Sequence, residues 1–289
     1  MIPQTRLVKS GLVTSRLAFG TSRLHYVDHR TRQDLMAQAV ELGIIHFDTA
    51  PSYGDGLAER ELGRFLKGRR SRLIIATKYG IAPDPLITAM PALAGPLRGV
   101  RAVARRAGLW QVRRPPLLAA GLRASVEASL RRIGTDVIDI VMLHEPLAAR
   151  LPDAQAVVRE LVDLRQRGLI RHFGLAGSWD GIASLGEAAS SLGEIIQTGE
   201  TQWGGGSHLA GGIHLAGGRA PDITFGALAQ SGQHYFNTHV EGAGAGLRLR
   251  EALARRPDGV VIVSTTKADN LHTLAQVAAG DASTGSRAA

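Results

Sequence analysis

The sequence predicts an α/β chain folded as a (β/α)8 barrel, with an N-terminal β-hairpin ahead of the first barrel strand. Three observations carry this. Eight short apolar runs have strand character, amphipathic helix-like stretches fill most of the gaps between them, and the turn after the first run, "AFGTSRLH", lacks the G-x-G-x-x-G of an open doubly wound sheet. Parallel strands need helical crossovers, and closing the sheet removes both exposed edges. A chain of 289 residues with 44% hydrophobic content is an ordinary size for one such barrel, so the expected organisation is a single domain over residues 1–289.

The opening "TRLVKSGLVTSRLAFG" reads as a hairpin turning at Gly11, placed to close the barrel floor. Strands are expected at residues 17–21, 44–49, 73–78, 137–144, 170–176, 194–198, 222–228 and 260–265. Their near-continuous Ile, Val and Leu content suits strands buried on both faces. Helices are expected at residues 31–42, 57–66, 120–133, 153–167, 179–190, 247–256 and 268–279, where apolar positions recur at helical spacing. Residues 281–289 read as a flexible tail.

Two stretches interrupt the alternation. Residues 81–118 form an arginine-rich insertion in a βα connection and carry Arg98, Arg101, Arg105, Arg106, Arg113 and Arg114. Loops of this kind open at the active mouth of a barrel, so the insertion reads as a lid that selects an acidic substrate or grips a cofactor phosphate. It reads equally as a solvated helix face, since Arg98, Arg101 and Arg105 share one stripe and Leu97, Val100 and Ala104 another. Further on, "GGGSHLAGGIHLAGGRAP" repeats "HLAGG" and is too rich in glycine for a helix. His208 and His214 within it lack a carboxylate or thiolate at ligand spacing, so a loop is expected there and no metal site.

Composition excludes some functions. With no cysteine, disulfides and thiolate metal sites are ruled out. The start, "MIPQTRLVKSGLV", has no apolar signal core, and no apolar run is long enough for a bilayer, so a soluble cytoplasmic protein without a membrane partner is expected. The net charge of +9 attracts anions, but aromatics are 4% and no zinc-finger, RNP or basic-zipper pattern is present. No nucleic-acid partner is expected; a phosphate-bearing cofactor is the more economical use of the charge.

In a barrel, catalytic groups stand at the carboxyl ends of the strands. Three consecutive strand runs end in Asp48, Lys78 and His144, and Tyr53 follows Asp48 on a short loop. Each has a plain alternative: a loop brace for Asp48, packing for Tyr53, solvent for Lys78 and a hydrogen-bonded rim residue for His144. Together on adjacent strands they compose a proton-transfer device. A tyrosine with an ordinary pKa of about 10 needs a nearby cation before its phenolate is accessible.

The segments "GIIHFDTAPSYGDGLAERELGRFL", "IIATKYG" and "SLRRIGTDVIDIVMLHEP" resemble the signature regions of the aldo-keto reductases. The likeness extends to "LVKSGLVTSRLAFGTS" and "VVIVSTTKADNLHTLAQ" and leaves out residues 81–118 and 201–221. It implies a (β/α)8 barrel and a nicotinamide-dependent oxidoreductase that reduces an aldehyde or ketone, or runs the reverse reaction on a sugar or alcohol. It assigns Tyr53 as proton donor, Lys78 as the cation beside it, Asp48 as the counter-charge and His144 as the group orienting the carbonyl. For the cofactor it points to Gly20, Thr21, Gln197 and Phe225, the last reading equally as core packing, with Ser264, Thr265 and Lys267 left to bind phosphate. NADP is the expected cofactor, with NAD open because the usual basic position falls near Asn270. Where many members place Ser-Asn after the fifth strand, this chain has Ala176 and Gly177, leaving backbone or Ser178 to take that part. The resemblance also admits a cofactor-sensing regulatory subunit with little turnover.

Overall fold

The computed structural model describes residues 1–90, 93–108, 114–204, 219–228 and 243–285; the side chains of residues 102, 105, 106, 204, 243 and 281–285 lie outside the description. Residues 205–218 of the glycine-rich stretch, with His208 and His214, the Arg105 and Arg106 side chains, and Arg113 therefore fall outside the described residues.

An antiparallel hairpin, β1 (Gln4–Arg6) and β2 (Val13–Ser15), opens the chain. Gly11 supplies its turn at φ +70°. The eight strands that follow, β3 (Leu17–Gly20), β4 (His46–Asp48), β5 (Ile74–Tyr79), β6 (Ile138–His144), β7 (Ile170–Gly177), β8 (Ile195–Gly199), β9 (Ile223–Phe225) and β10 (Val260–Val263), pair in parallel and close into a barrel, with β10 bonded to β3. Each predicted strand is present, several of them shorter than expected. β4 begins at His46 because the Ile44 amide still bonds the Ala39 carbonyl of the preceding helix. β9 ends at Phe225 because Gly226 turns the chain at φ +74°.

Alternation along the strands sorts side chains between lumen and exterior. Ala18, Ile74, Ala76, Ile140, Met142 and Ile262 share an inner cluster, while Phe19, Phe47, Ile75 and Val141 pack outward against the helices. Leu7 of the hairpin, only 1% exposed, joins the inner cluster, so the hairpin does close the floor. Full burial of a leucine contributes about 1.5–3 kcal/mol. Beside it the Thr14 hydroxyl meets His46 Nδ1 at 3.2 Å inside the barrel.

The helices include α1 (His29–Glu41), α2 (Leu57–Leu66), α3 (Pro85–Ala89), α4 (Ala94–Arg106), α5 (Ala119–Ile133), α6 (Ala154–Gln166), α7 (Trp179–Ala183), α8 (Ala188–Leu192), α9 (Glu200–Gly204), α10 (Ala243–Arg255) and α11 (Ala268–Gly285). α1 starts before its predicted position because the Asp28 carboxylate caps the Thr31 amide at 3.0 Å. The single helix expected over residues 179–190 is instead α7 and α8, split where Gly186 adopts φ +55°. α11 reaches Gly285, and residues 286–289 lie outside the description. No helix among the described residues is long and apolar enough to cross a membrane.

α3 and α4 build the arginine-rich insertion, and on α4 Arg98 and Arg101 are held by carboxylates rather than left to solvent. Arg98 binds Asp55 Oδ2 at 3.2 Å and the Gly54 carbonyl at 2.8 Å, and Arg101 pairs with Asp84. Val100, on the other stripe, is 67% exposed. The arginines thus turn inward onto carboxylates that are remote in sequence, which local spacing does not reveal.

Candidate active site

Asp48, Lys78 and His144 come together because β4, β5 and β6 are consecutive staves whose carboxyl ends open on one mouth. Lys78 Nζ donates to Asp48 Oδ1 at 2.6 Å and to the Thr49 carbonyl at 3.0 Å. Both side chains are almost wholly buried. Tyr53 sits on the loop between β4 and α2, its ring centroid 4.9 Å from Lys78 Nζ. Its ring meets that of His144 edge to face, centroids 6.3 Å apart and planes at 85°. All four predicted residues therefore share one site.

The Tyr53 loop is held at several points. Its amide bonds the Ala50 carbonyl at 3.0 Å, and Gly54, Asp55 and Gly56 follow at φ +56°, +55° and +81°. Three successive left-handed residues make a tight reversal, which two glycines allow at little cost. Asp55 is the non-glycine member, and Arg98 and the Asp84 amide both bind its carboxylate.

The charges balance by pairing. Burial disfavours the Lys78 ammonium, but Asp48 and then Tyr53 outweigh it, so the pKa of Lys78 lies above its ordinary value. Burial raises the Asp48 carboxyl, while Lys78 and the nearby Gln197 side chain favour its charged form. Tyr53 is also raised, first by burial; Lys78 opposes this, and Asp48 and Glu145 reinforce it. Lys78 thus acts in the direction the sequence suggests, yet removal from water dominates and the phenol stays protonated at neutral pH. His144 is held well below the usual imidazole value by burial, then by Lys78, Arg150 and Arg114. It is a neutral imidazole whose buried Nδ1 has no hydrogen-bond partner among the described residues.

The residues expected to face a cofactor ring the other side of the mouth, on β8, β9, β10 and β3. Gln197 pairs in register with Ala176, is 2% exposed, and its Oε1 has no partner among the described residues. Phe225 ends β9 and is half-buried. A methyl group on Gly20 would stand 2.2 Å from Ser264 Oγ, so only glycine allows β3 and the end of β10 to approach this closely. Thr21 binds the Asp48 carbonyl at 3.0 Å, linking this side to the catalytic one. The Thr265 hydroxyl accepts from the Lys267 amide at 3.1 Å, forming the turn into α11, and Lys267 itself is exposed. Ser178 Oγ caps α7 by accepting from the Gly181 amide at 3.1 Å.

Sequence reasoning missed Thr49, whose carbonyl helps hold Lys78, and Arg150, which binds the backbone beside His144. The first acts through its backbone and carries no sequence signal. The second lies in "LAARLPD", where only an arginine expected on the surface is visible.

Residues 16–195 match the family model described as "Aldo/keto reductase family", which takes in more than half of the chain. The chain belongs to the aldo/keto reductase family. It is 28% identical over 172 residues to D-threo-aldose 1-dehydrogenase of a Pseudomonas species, covering 57% of this chain and 51% of that protein. The chain spans about half the length of the curated relatives it matches. A solved structure from Pseudomonas aeruginosa, described as an aldo-keto reductase, superposes with a TM-score of 0.66 at 26% identity over 96% of this chain and 94% of the other. An aldo-keto reductase from Klebsiella pneumoniae in complex with NADPH shares the fold, with a TM-score of 0.65 at 17% identity over 96% and 90% of the two chains.

Proposed function

We propose that this aldo/keto reductase family member reduces an aldehyde or ketone with NADPH, taking the proton from Tyr53. The observation that carries the reading is the buried Lys78–Asp48 pair beneath the Tyr53 ring, with neutral His144 at the ring's edge.

The opposite side of the mouth fits a nicotinamide cofactor. Gln197 Oε1 is a buried acceptor without a donor among the described residues, suited to a carboxamide, and Phe225 at the end of the neighbouring strand carries a ring of the kind that stacks on nicotinamide. Ser264, the turn at Thr265 and exposed Lys267 stand at the N-terminus of α11, where backbone amides and charge favour phosphate. When bound there, the cofactor would supply hydride to the carbonyl carbon.

The chain's own residues handle the proton and the oxyanion. Tyr53 donates from a phenol that burial keeps protonated, the form reduction requires. Lys78 lies close enough to stabilise the phenolate left behind, and Asp48 keeps that ammonium charged in a buried setting. His144, neutral, is available to hydrogen-bond the substrate oxygen. The likeness to D-threo-aldose 1-dehydrogenase makes sugars a natural part of the substrate panel.

The test is Tyr53→Phe in single turnover, with NADPH and NADH titrated separately. The ring and its packing remain, so cofactor affinity is expected to hold while hydride transfer falls by about 10²- to 10⁴-fold. Near-normal transfer removes Tyr53 as donor. Tight NADPH binding by the unmodified chain without turnover on any aldehyde, ketone or sugar would instead identify a cofactor sensor.

A further inference from the structure

Arg150 is 7% exposed and, among the described residues, has no carboxylate within ion-pair distance. A buried cation with no such partner is costly unless its donors are satisfied. Here they are satisfied by backbone alone. Nη1 binds the carbonyls of His144 at 3.1 Å and Glu145 at 2.5 Å. Nη2 binds the carbonyls of Gly80 at 2.7 Å and Pro115 at 2.9 Å, and Nε returns to Pro115 at 3.2 Å.

The position of these carbonyls is informative. The β5–β6 ladder ends with Tyr79 opposite Leu143, and the next residues, Gly80 and His144, have no ladder bond between them. The guanidinium takes over at that point, bridging the Gly80 carbonyl to those of His144 and Glu145. It thereby continues the connection one step past the last strand pair, on the two strands that carry Lys78 and His144. The backbone has adapted to it. Gly80 lies at φ +130°, and a methyl group there would come within 2.8 Å of the His144 carbonyl and 3.3 Å of Arg150 Nη2. Glu145 is left-handed at φ +52°, a strained conformation for a residue with a side chain, and its carbonyl is one that Arg150 holds.

We propose that Arg150 is a positioning residue: by clamping the exits of β5 and β6 together it holds His144 in register with Lys78 and Tyr53, and so governs turnover without touching substrate. The proposal rests on the proton-transfer reading of the site. The guanidinium has a second effect there. His144 is faced by Lys78, Tyr53, Arg114 and Arg150, and the Arg150 charge is one of those keeping its ring neutral. Fork geometry and charge can be separated, because lysine keeps the charge but, as a compact ammonium, cannot span carbonyls on both exits.

The experiment compares Arg150→Lys, Arg150→Met and His144→Gln with the unmodified protein. Single-turnover hydride transfer, NADPH affinity by fluorescence and the His144 ring titration by NMR are measured for each. Both Arg150 variants are expected to lose about 10- to 100-fold in hydride transfer, the scale of a small misplacement of a reacting group, with NADPH affinity unchanged. His144 should titrate higher in Arg150→Met and stay low in Arg150→Lys. If Arg150→Met does not fold, Arg150→Lys decides alone. Wild-type transfer in Arg150→Lys, with His144→Gln slow, overturns the proposal and leaves the site reading intact. Wild-type transfer in His144→Gln overturns both. A loss of NADPH affinity matching the loss of transfer shows a general structural staple and also overturns it.

Discussion

Replacing Lys78 by methionine tests the pair on which the site is built. The ammonium makes two bonds, to Asp48 Oδ1 at 2.6 Å and to the Thr49 carbonyl at 3.0 Å, in a place where lysine and aspartate are 3% and 2% exposed. Methionine keeps most of the stem and removes the charge. Asp48 is then a buried carboxylate whose Oδ2 already has no hydrogen-bond partner among the described residues. Breaking a buried pair from one side costs about 3–5 kcal/mol, against a typical total stability of about 5–15 kcal/mol. At roughly 1.5–2 °C per kcal/mol for a chain of this length, Tm should fall by about 5–10 °C. Adding Asp48→Asn removes the stranded charge and should recover most of that loss. Hydride transfer should stay slow in both variants, because Tyr53 has lost its cation. Thermal unfolding followed by circular dichroism gives the stabilities, and stopped-flow single turnover gives the chemistry. A single variant as stable as the unmodified chain, or a double variant no more stable than the single, refutes the reasoning about mutual dependence. Fast hydride transfer in the double variant refutes the role given to Lys78.

Two further perturbations address other parts of the barrel. Gly20→Ala places a methyl group 2.2 Å from Ser264 Oγ and 2.8 Å from Ile262 Cγ2; overpacking of this kind costs about 1–3 kcal/mol, and NADPH binding measured by fluorescence should weaken. Unchanged stability and affinity would show that the close approach of β3 and β10 is not needed. His46 is wholly buried and its pKa is lowered to about 3, first by burial and then by Lys78. The unfolded chain binds the proton near pH 6.5 and the folded chain does not, so His46 costs stability as pH falls from about 6.5 towards 3, by about 2 kcal/mol between pH 7 and pH 5. Urea unfolding at both pH values should show that difference shrinking in His46→Gln; an equal difference in the two proteins would mean that His46 does not carry it.

The architecture was legible because its cause is local. Runs such as Ile138–His144 and Val260–Val263 are apolar on both faces, and such strands require helices on one side and a filled lumen on the other. Asp48, Lys78 and His144 were legible for a related reason: each is a polar residue where an apolar strand ends, and the strand order then brings them together. What escaped depends on conformations that sequence does not display. Arg98 and Asp55 meet only because three left-handed residues reverse the Tyr53 loop beneath α4. Arg150 reads as an ordinary surface arginine until the loop after β6 folds it back under the His144 carbonyl. Gly186 divides α7 from α8 although the apolar spacing runs on across it. The net effect of burial on Tyr53 required knowing how much water the mouth excludes.

The pairing of β10 with β3 has a consequence for how the chain is made. The first stave emerges from the ribosome at residue 20 and its partner across the seam only at residue 263, so at 5–20 residues per second the nascent sheet has an unpaired edge for roughly 12–50 s. Throughout that wait the β3 backbone offers donors and acceptors to any passing strand, and the lumen is open along one side. The β1–β2 hairpin is translated ahead of the staves and is built from local contacts, so it is formed before they arrive and can shield Leu7 and the lower lumen as they are laid down. Shortening the chain before β10 would leave the same seam open permanently, with aggregation the expected outcome rather than a smaller barrel.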